Sequence, residues 1–188
     1  MTVNLENVTS FKQAGELKHH LLFDDVDDLK TFIKSKTPFF ILGKGSNTII
    51  NPESKKQTLI QLSANLLPYK RNQDTLQLNA GMSISKALSI CQKEGLSGLE
   101  FAAGVPATIG GMIAMNFGCW GSSVSDYIER VLILNENGDE EIITDSPCKF
   151  SYRHSIFQEK KWVIIGADFK LDKKPENEIK TLIQDNIT

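Results

Sequence analysis

Two glycine-rich segments carry the residues best suited to hold a ligand. The first is GKGSN, residues 43–47, and the second is GVPATIGG, residues 104–111. Glycine allows positive φ angles and lets the main chain approach a ligand without a Cβ atom in the way. Successive backbone N–H groups in such turns converge into anion-binding sites, and the start of a helix adds its dipole. The two loops together predict a cradle for a pyrophosphate group.

Each segment taken singly has another explanation. A G-x-G-S-N run after a strand is also typical of a tight turn, and the pair Gly110 and Gly111 also suits close packing of a helix on a sheet. Neither segment has the spacing of a Rossmann dinucleotide site or of a P-loop. Pro106 suits the first turn of a helix in the second segment. The residues alone leave the choice between turn and phosphate site open.

The stretch YRHS, residues 152–155, holds the other candidate chemical group. The guanidinium of Arg153 offers fixed paired donors to a planar carboxylate and stabilises negative charge. The alternative is an ordinary surface ion pair. His154 and the adjacent His19 and His20 have no third metal ligand at a useful spacing, so no metal site is predicted.

The elements that must position these residues mix helices and strands without regular alternation. Apolar periodicity predicts helices over 24–35, over 83–94 and from Pro175 to the chain end. Strands are predicted at PFFILG, QTLIQL, TLQLNAG and WVIIGADFKL, and a hairpin is predicted around Asn137-Gly138. This order favours an α+β fold over a doubly wound parallel sheet.

The segment LLPYKRNQD, residues 66–74, is predicted to connect two lobes. An N-terminal α+β lobe then covers residues 1–65, and a second α+β lobe covers residues 66–172. Residues 173–188 form the last predicted helix. That helix reaches the chain end without a cap, as though a further segment should follow.

Composition restricts the classes of partner. The 188 residues are 40% hydrophobic and 23% charged with a formal net charge of -2, so we expect a globular protein that attracts neither nucleic acid nor anionic lipid. No window approaches the ~20 apolar residues that cross a bilayer, and the N-terminus lacks signal-peptide features, so a cytoplasmic protein is expected. The three cysteines lack a C-x-x-C spacing, which argues against disulfides and structural zinc.

Three motifs, taken in order, resemble one enzyme family. They are LGKGSN, GLSGLEFAAGVPATIGGMIAMNFGCWG and FSYRHSIF. At these separations they are similar to the flavin-binding part of UDP-N-acetylenolpyruvoylglucosamine reductase, also called UDP-N-acetylmuramate dehydrogenase. The resemblance runs from the early segment TSFKQAG to the chain end.

The resemblance implies a two-lobed α+β FAD-binding fold like that of vanillyl-alcohol oxidase and p-cresol methylhydroxylase, without the C-terminal substrate domain. It also implies reduction of the enolpyruvyl ether of UDP-N-acetylglucosamine to UDP-N-acetylmuramate. NADPH would reduce the FAD, and the flavin would pass hydride to the substrate alkene. The reaction would serve peptidoglycan synthesis, and through it cell-wall biogenesis, cell shape and cell division.

The resemblance also assigns roles to particular residues. The residues placed on the FAD pyrophosphate are Gly43, Lys44, Gly45, Ser46 and Asn47. The residues placed along the rest of the cofactor are Gly104, Val105, Pro106, Ala107, Thr108, Gly110, Gly111, Asn116 and Gly118. Tyr152 and Arg153 match the family's substrate-binding Y-R pair, and Arg153 is the one catalytic residue assigned. Its guanidinium would contact the enolpyruvyl carboxylate as hydride arrives.

Some positions depart from the family pattern. Glu16, Ala107 and the pair Cys119-Trp120 stand where the family commonly has glycine, glycine and Ala-Tyr, and each adds a side chain near the expected cofactor. The family's proton-donating serine and its charge-holding glutamate come from the downstream domain. No residue here matches either role, so a partner chain carrying that domain is one expected partner.

Three alternative functions follow. The chain is a non-catalytic flavin-binding module completed by a partner chain, a flavin oxidase or FAD subunit of a larger dehydrogenase, or a structural domain without flavin. The order of the glycine motif and SYRHS argues against the oxidase, and the paired glycine segments are unexplained in a structural domain.

Overall fold

The first lobe is built on a small parallel sheet. The computed structural model describes residues 2–51 and 57–187. The strands of this lobe are β1 (Val3–Asn4), β2 (Glu16–Leu17), β3 (His20–Phe23), β4 (Phe39–Ile41) and β5 (Thr58–Leu62), and its helix is α1 (Val26–Lys34). The parallel sheet has the order β3-β5-β4, and β1 pairs with β2 separately. Since β5 lies between β3 and β4, the connection from β3 to β4, which contains α1, passes over the position that β5 fills.

The second lobe is built on a five-stranded antiparallel sheet. The strands of this lobe, in the main sheet and in two small two-stranded sheets, are β6 (Lys70–Asn72), β7 (Thr75–Asn79), β8 (Leu96–Ser97), β9 (Gly118–Cys119), β10 (Ser122–Ser123), β11 (Ile128–Leu134), β12 (Glu140–Thr144), β13 (Val163–Lys170) and β14 (Asp172–Lys173). Its helices are α2 (Ile84–Glu94), α3 (Ile109–Ala114), α4 (Asp145–Cys148) and α5 (Glu176–Asp185). The main sheet has the order β12-β11-β13-β7-β6, so the late strand β13 lies at its centre. Short 3-10 turns lie at Leu5–Asn7, Glu100–Ala102, Val124–Asp126 and Ile156–Gln158.

Helix ends follow from local chemistry. The Asp25 side chain accepts hydrogen bonds from the N–H groups of Asp27 and Asp28 and so begins α1. The Ser83 side chain caps α2 in the same way, and Gly95 ends α2 in the left-handed conformation at φ 64°. These signals act within a few residues of each helix end, and the predicted ranges 24–35 and 83–94 contain the observed helices α1 and α2.

The strand β13 joins the two lobes, because both of its faces are covered. On one face the sheet packs against α2, α3 and α5 in the largest apolar cluster, which includes Ala167 and Phe169. On the other face Val163 and Ile165 pack against Phe23 and Leu29 of the first lobe. All residues of β13 except Lys170 are buried. The continuous apolar run in WVIIGADFKL reflects this double burial.

Most of the predicted elements are present, including the hairpin at Asn137-Gly138, which joins β11 to β12. Two positions differ from expectation. Pro106 lies outside helix α3, which begins at Ile109 after a cap by Thr108. The predicted connection at residues 66–74 contains β6, which pairs with β7 in the antiparallel sheet. The proposed lobe limits remain predictions, and Met1, residues 52–56 and Thr188 lie outside the described residues.

The last helix packs against the second lobe. Ile179 of α5 is fully buried, and α5 contacts α2 and the turn Glu100–Ala102. Pro175 is the N-cap residue and α5 begins one residue later, at Glu176, so the predicted start at Pro175 is wrong by one residue. None of the helices within the described ranges is both long and apolar enough to cross a membrane.

Candidate functional site

A cavity of about 780 Å³ lies between the two lobes. This volume falls in the range of small-molecule and cofactor sites. Its walls come from β4 and the following loop, from β5, from the end of β7, from α3 and from the segment before β13. Lining residues from these five places are Phe40, Ile41, Gly43, Lys44, Gln61, Leu62, Ala80, Gly81, Thr108, Gly110, Gly111, Ala114, Phe157, Gln158 and Trp162.

The two glycine segments meet at this cavity. A Cβ atom on Gly43 would lie 2.7 Å from Thr108 Oγ1, so only glycine allows this approach. Thr108 in turn caps helix α3, since its hydroxyl accepts a hydrogen bond from the Gly111 N–H at 3.2 Å. The first segment therefore rests directly on the start of the helix in the second segment. That the two loops together hold a pyrophosphate stays a prediction.

The backbone N–H groups at the start of α3, in the second segment, already donate hydrogen bonds within the protein. At the start of α3, Ile109 donates to the Met82 carbonyl at 2.9 Å and Gly110 donates to the Ala80 carbonyl at 2.8 Å. A Cβ atom on Gly110 would lie 3.0 Å from that of Ala80. The helix also has only six residues. The expectation that a helix start here supplies donors to an anion is therefore corrected, because its first N–H groups bind the neighbouring strand end.

The backbone N–H groups of the first segment, in contrast, are unused in the part of the chain that the structure describes. Among the described residues, no hydrogen bond uses the N–H groups of residues 43–47. Gly45 has φ +61°, and a Cβ atom on it would meet the Val8 carbonyl at 2.5 Å. Unused N–H groups in a turn with a left-handed residue are the donor set of an anion nest. A diphosphate fits this set, and the lysines Lys36, Lys44, Lys160 and Lys161 around the cavity add positive charge.

The rest of the cavity suits a planar aromatic group. Its lining is more apolar than polar, with Phe40, Phe157 and Trp162 among the contributing side chains. Ligand sites typically combine such an apolar surface with a few placed polar groups. The residues present therefore fit both the diphosphate and the ring system of FAD.

Arg153 adopts a left-handed conformation, with φ 54°, in a turn that contacts the end of α3 and the residues following it. Its Nη2 donates to the Gly118 carbonyl at 2.7 Å, and its guanidinium carbon lies 4.8 Å from the centre of the Phe117 ring. Within the described residues its buried Nη1 has no hydrogen-bond partner. A buried unused guanidinium donor is costly unless a ligand satisfies it.

The Arg153 turn is tied to the rim of the cavity. Gln158, a lining residue, donates to the carbonyls of both Ala114 and Arg153, at 2.8 and 3.1 Å. Ser155 also donates to the Ala114 carbonyl, at 2.7 Å. Next to this turn, Tyr152 is 90% exposed. Its ring centre lies 5.6 Å from the Arg153 guanidinium carbon. The predicted Y-R pair therefore borders the cavity without lining it.

Asn116 and Gly118 support that turn. The Asn116 side chain donates to the Ser151 carbonyl at 3.0 Å and accepts from the Ser125 N–H at 3.2 Å. A Cβ atom on Gly118 would lie 2.7 Å from the Ser122 carbonyl oxygen, which keeps the β9–β10 hairpin tight. The structure gives both residues a local structural part, and their predicted contact with the cofactor stays a prediction.

The remaining predicted cofactor residues do not line the cavity. Gly45, Ser46 and Asn47 continue the first loop past the lining residues Gly43 and Lys44. Residues 104–107 precede the cap of α3, and the Ala107 carbonyl accepts a hydrogen bond from Ile84. Their assignment to FAD rests on the sequence resemblance and remains a prediction.

Sequence reasoning missed several lining residues. Gln61, Ala80, Gly81, Gln158 and Trp162 reach the cavity from strand ends and from the segment before β13. Gly81 carried a signal, since it is the last residue of the predicted strand TLQLNAG, and a side chain there would clash with the carbonyls of Leu62 and Ser63. The other four gave no signal, because their role depends on how the lobes pack.

The histidines and cysteines form no separate chemical centre. Across the part of the chain that the structure describes, no group of three or more His, Cys, Asp or Glu side chains could hold a metal ion. His154 pairs with Glu159 at 3.1 Å. Burial raises the pKa of the Cys91 thiol to about 12, and burial also raises the pKa of Cys119. Thiols with raised pKa values are poor nucleophiles at neutral pH.

Comparison with protein families adds to this geometry. A family model described as "FAD binding domain" matches residues 23–144. This range contains the first glycine loop, the whole of α3 and most of the cavity lining.

Individual relatives share one name. The chain is 35% identical to the UDP-N-acetylenolpyruvoylglucosamine reductase of Caldanaerobacter subterraneus subsp. tengcongensis over 94% of its own length and 60% of the relative. It is 33% identical to the enzyme of that name from Bacillus pumilus over 97% of its length and 62% of the relative. The chain thus spans about three fifths of the length of these relatives.

A solved structure supports the fold. The crystal structure of UDP-N-acetylenolpyruvylglucosamine reductase from Thermus caldophilus matches with a TM-score of 0.85 and 24% sequence identity, covering 99% of this chain and 67% of that one. At this identity the match concerns the fold. The α+β, FAD-binding architecture predicted from the sequence is confirmed.

Proposed function

Since this chain belongs to the FAD binding domain family, we propose that it binds FAD in the cavity between its two lobes. The observation that carries the proposal is the set of unused backbone N–H groups in residues 43–47, a loop whose first two residues, Gly43 and Lys44, line an apolar cavity of about 780 Å³. These N–H groups would hold the diphosphate, and the apolar lining would hold the ring system. Bound FAD supplies hydride-transfer chemistry that no amino-acid side chain provides.

We further propose that the chain is the flavin-binding part of a UDP-N-acetylenolpyruvoylglucosamine reductase. The names of the relatives, together with the YRHS motif at the cavity rim, support this activity. The substrate would be the enolpyruvyl ether of UDP-N-acetylglucosamine, and NADPH would be the hydride donor. The product, UDP-N-acetylmuramate, would serve peptidoglycan synthesis.

Arg153 has a defined part in this proposal. Its Nη2 is held by the Gly118 carbonyl, and Nη1 is left to donate to the substrate carboxylate. As hydride adds to the alkene, negative charge spreads onto that carboxylate, and the fixed guanidinium stabilises the charge. The Phe117 ring beneath the guanidinium keeps the side chain in place through a cation–π contact.

No residue of this sequence matches the serine and the glutamate to which the resemblance assigns proton delivery and charge stabilisation, so the proposal gives these two roles to no residue named here. The same observation favours a second candidate, a non-catalytic flavin-binding module completed by a partner chain. A cytoplasmic location is part of both proposals, and the absence of a disulfide among Cys91, Cys119 and Cys148 is consistent with it.

The first experiment is the visible spectrum of the purified protein after incubation with FAD and removal of unbound cofactor. Retained flavin absorption is the expected result. The control is Gly45→Val, whose side chain would meet the Val8 carbonyl and disturb the loop, and which we expect to stay colourless while its circular dichroism is unchanged. A wild-type protein that stays colourless would overturn the proposal.

Anaerobic titration with NADPH then separates the two candidates. A reductase part is expected to bleach the bound flavin when NADPH is added, because NADPH is the hydride donor of the proposed reaction. A non-catalytic module retains the oxidised spectrum under the same conditions, and full-length relatives provide the positive control.

A further inference from the structure

Three successive peptide groups of the loop at residues 43–47 are held by hydrogen bonds to their carbonyl oxygens. The Gln61 Nε2 donates to the Gly43 carbonyl at 2.9 Å. Ser10 provides the other two contacts, since its Oγ donates to the Lys44 carbonyl at 2.7 Å and its N–H donates to the Gly45 carbonyl at 3.1 Å. Two residues from distant parts of the sequence therefore fix the orientation of this loop.

Fixing a carbonyl also fixes the N–H group of the same peptide. In a trans peptide the C=O and N–H bonds point in opposite directions, and the described chain contains no cis peptide. The carbonyls of Gly43, Lys44 and Gly45 point toward Gln61 and Ser10. The N–H groups of Lys44, Gly45 and Ser46 therefore point away from those side chains, and within the described residues none of the three has a partner.

Both holding residues are themselves fixed. The Gln61 Oε1 lies 2.9 Å from His20 Nε2, and Gln61 belongs to the central strand β5 of the parallel sheet. Because its amide nitrogen donates to Gly43, its oxygen is left to accept from His20, which sets the amide orientation. Ser10 follows the buried Thr9, whose hydroxyl donates to the Leu5 carbonyl at 2.7 Å.

We infer that Ser10 and Gln61 are positioning residues that aim three backbone N–H groups at the diphosphate of the cofactor and so set its affinity. The inference rests on the proposed FAD site. Ser10 lies outside the cavity lining and acts through the loop carbonyls, whereas Gln61 both holds the Gly43 carbonyl and lines the cavity. Preformed donors strengthen binding, since the loop loses less conformational freedom when the ligand arrives.

The test measures dissociation constants of wild type, Gln61→Met and Ser10→Ala for FAD, ADP and riboflavin. FAD and ADP carry the diphosphate, whereas riboflavin has the ring system without phosphate. Each variant is expected to bind FAD and ADP about tenfold more weakly, the effect of one hydrogen bond. Ser10→Ala, which changes no lining residue, is expected to bind riboflavin as wild type does. Ser10→Thr retains the hydroxyl and is expected to retain the affinity.

Two control variants remove a glutamine amide or a serine hydroxyl that donates a hydrogen bond outside the loop at residues 43–47. Gln77→Met removes a side chain that donates to Asp168 on the antiparallel sheet, and Ser35→Ala removes a hydroxyl that donates to the Phe32 carbonyl. Both controls are expected to bind all three ligands as wild type does. Thermal unfolding without ligand shows whether each variant is folded. If Gln61→Met does not fold, the comparison of Ser10→Ala with Ser10→Thr tests the positioning role.

The outcomes separate this inference from the proposed function. Wild-type affinity for FAD in both variants overturns the positioning role and leaves the FAD site standing. Equal weakening of FAD and riboflavin in Ser10→Ala also overturns it, since general loop damage affects both ligands. A wild-type protein that binds no FAD overturns the site and the inference together.

Discussion

In the loop at residues 43–47 the backbone N–H groups have no partner among the described residues, whereas the N–H groups at the start of α3 all donate within the protein. Both segments are rich in glycine, yet glycine serves opposite purposes in them. In the first, Gly43 and Gly45 let the chain turn tightly and leave donors unused. In the second, Gly110 lets a helix approach the strand end at Ala80, and that contact consumes the donors. A glycine-rich sequence therefore predicts a close approach of the backbone to another group. Only the hydrogen bonds and contacts show whether that group is a neighbouring strand or leaves room for a ligand.

Among the substitutions that test the difference between the two segments, the largest expected effect comes from Gly43→Ala. The new Cβ atom would lie 2.7 Å from Thr108 Oγ1, so the loop must move away from α3. We expect FAD affinity to fall about 10- to 100-fold, as one or two hydrogen bonds to a charged group lose their alignment. Flavin fluorescence titration measures the change.

A double-mutant cycle identifies the cause of that loss. Thr108→Ala removes the hydroxyl that the new methyl group would meet, so Gly43→Ala is expected to cost less in the Thr108→Ala background. Equal costs in both backgrounds would contradict the steric explanation and weaken the contrast between the two segments.

Gly110→Ala is expected to affect stability more than binding. Its Cβ atom would lie 3.0 Å from the Ala80 Cβ, and overpacking of this kind typically costs about 1–3 kcal/mol. The affinity of the folded protein for FAD is expected to change less than it does in Gly43→Ala. Urea unfolding followed by circular dichroism measures the free energy. Ala80→Gly in the same background is expected to restore part of it, and a Gly110→Ala protein with wild-type stability would show that the close approach is unimportant.

Alkaline pH tests the packed core that contains α3. Cys91 belongs to the same apolar cluster as Ile109 and Met112, and burial raises its pKa from 9.0 to about 12. Above pH 9 the thiol ionises in the unfolded chain and stays protonated in the folded one, so stability falls as pH rises from 9 toward 12. The contribution is at most about 1.4 kcal/mol per pH unit.

The measurement is the free energy of unfolding at pH 9, 10 and 11 for wild type and Cys91→Ala. The variant is less stable overall because it leaves a cavity. Its stability is nevertheless expected to fall less steeply with pH than that of wild type. Parallel curves would show that Cys91 is not the responsible group.

The smallest effect is expected from Lys44→Met. Lys44 lines the cavity on an exposed part of the loop, and exposed charges typically contribute less than about 1 kcal/mol. If the backbone N–H groups supply most of the binding, FAD affinity falls less than about fivefold. A loss as large as that of Gly43→Ala would assign the binding to the lysine side chain and remove the contrast between the two segments. Isothermal titration at two salt concentrations distinguishes the two outcomes.

Much of the fold was predictable because its signals are local. The Asp25 and Ser83 caps, the glycine at position 95 and the Asn137-Gly138 turn each act within a few residues. The strand β6 was missed, since KRN is fully exposed and has no apolar pattern. Its pairing with β7 depends on a neighbouring strand, which periodicity does not report.

The sequence by itself determined the α+β class, the two glycine loops, the order of motifs that marks the FAD binding domain family, and the presence of an arginine suited to a carboxylate. These follow from residue types and short-range chemistry. Tertiary structure decided that Gly43 rests on Thr108, that the donors of α3 are consumed at Met82 and Ala80, and that Ser10 and Gln61 orient the first loop. Hydrogen bonds between residues 18 to 35 positions apart, such as that from Gln61 to Gly43, depend on how the strands and lobes pack, and packing is a property of the whole chain.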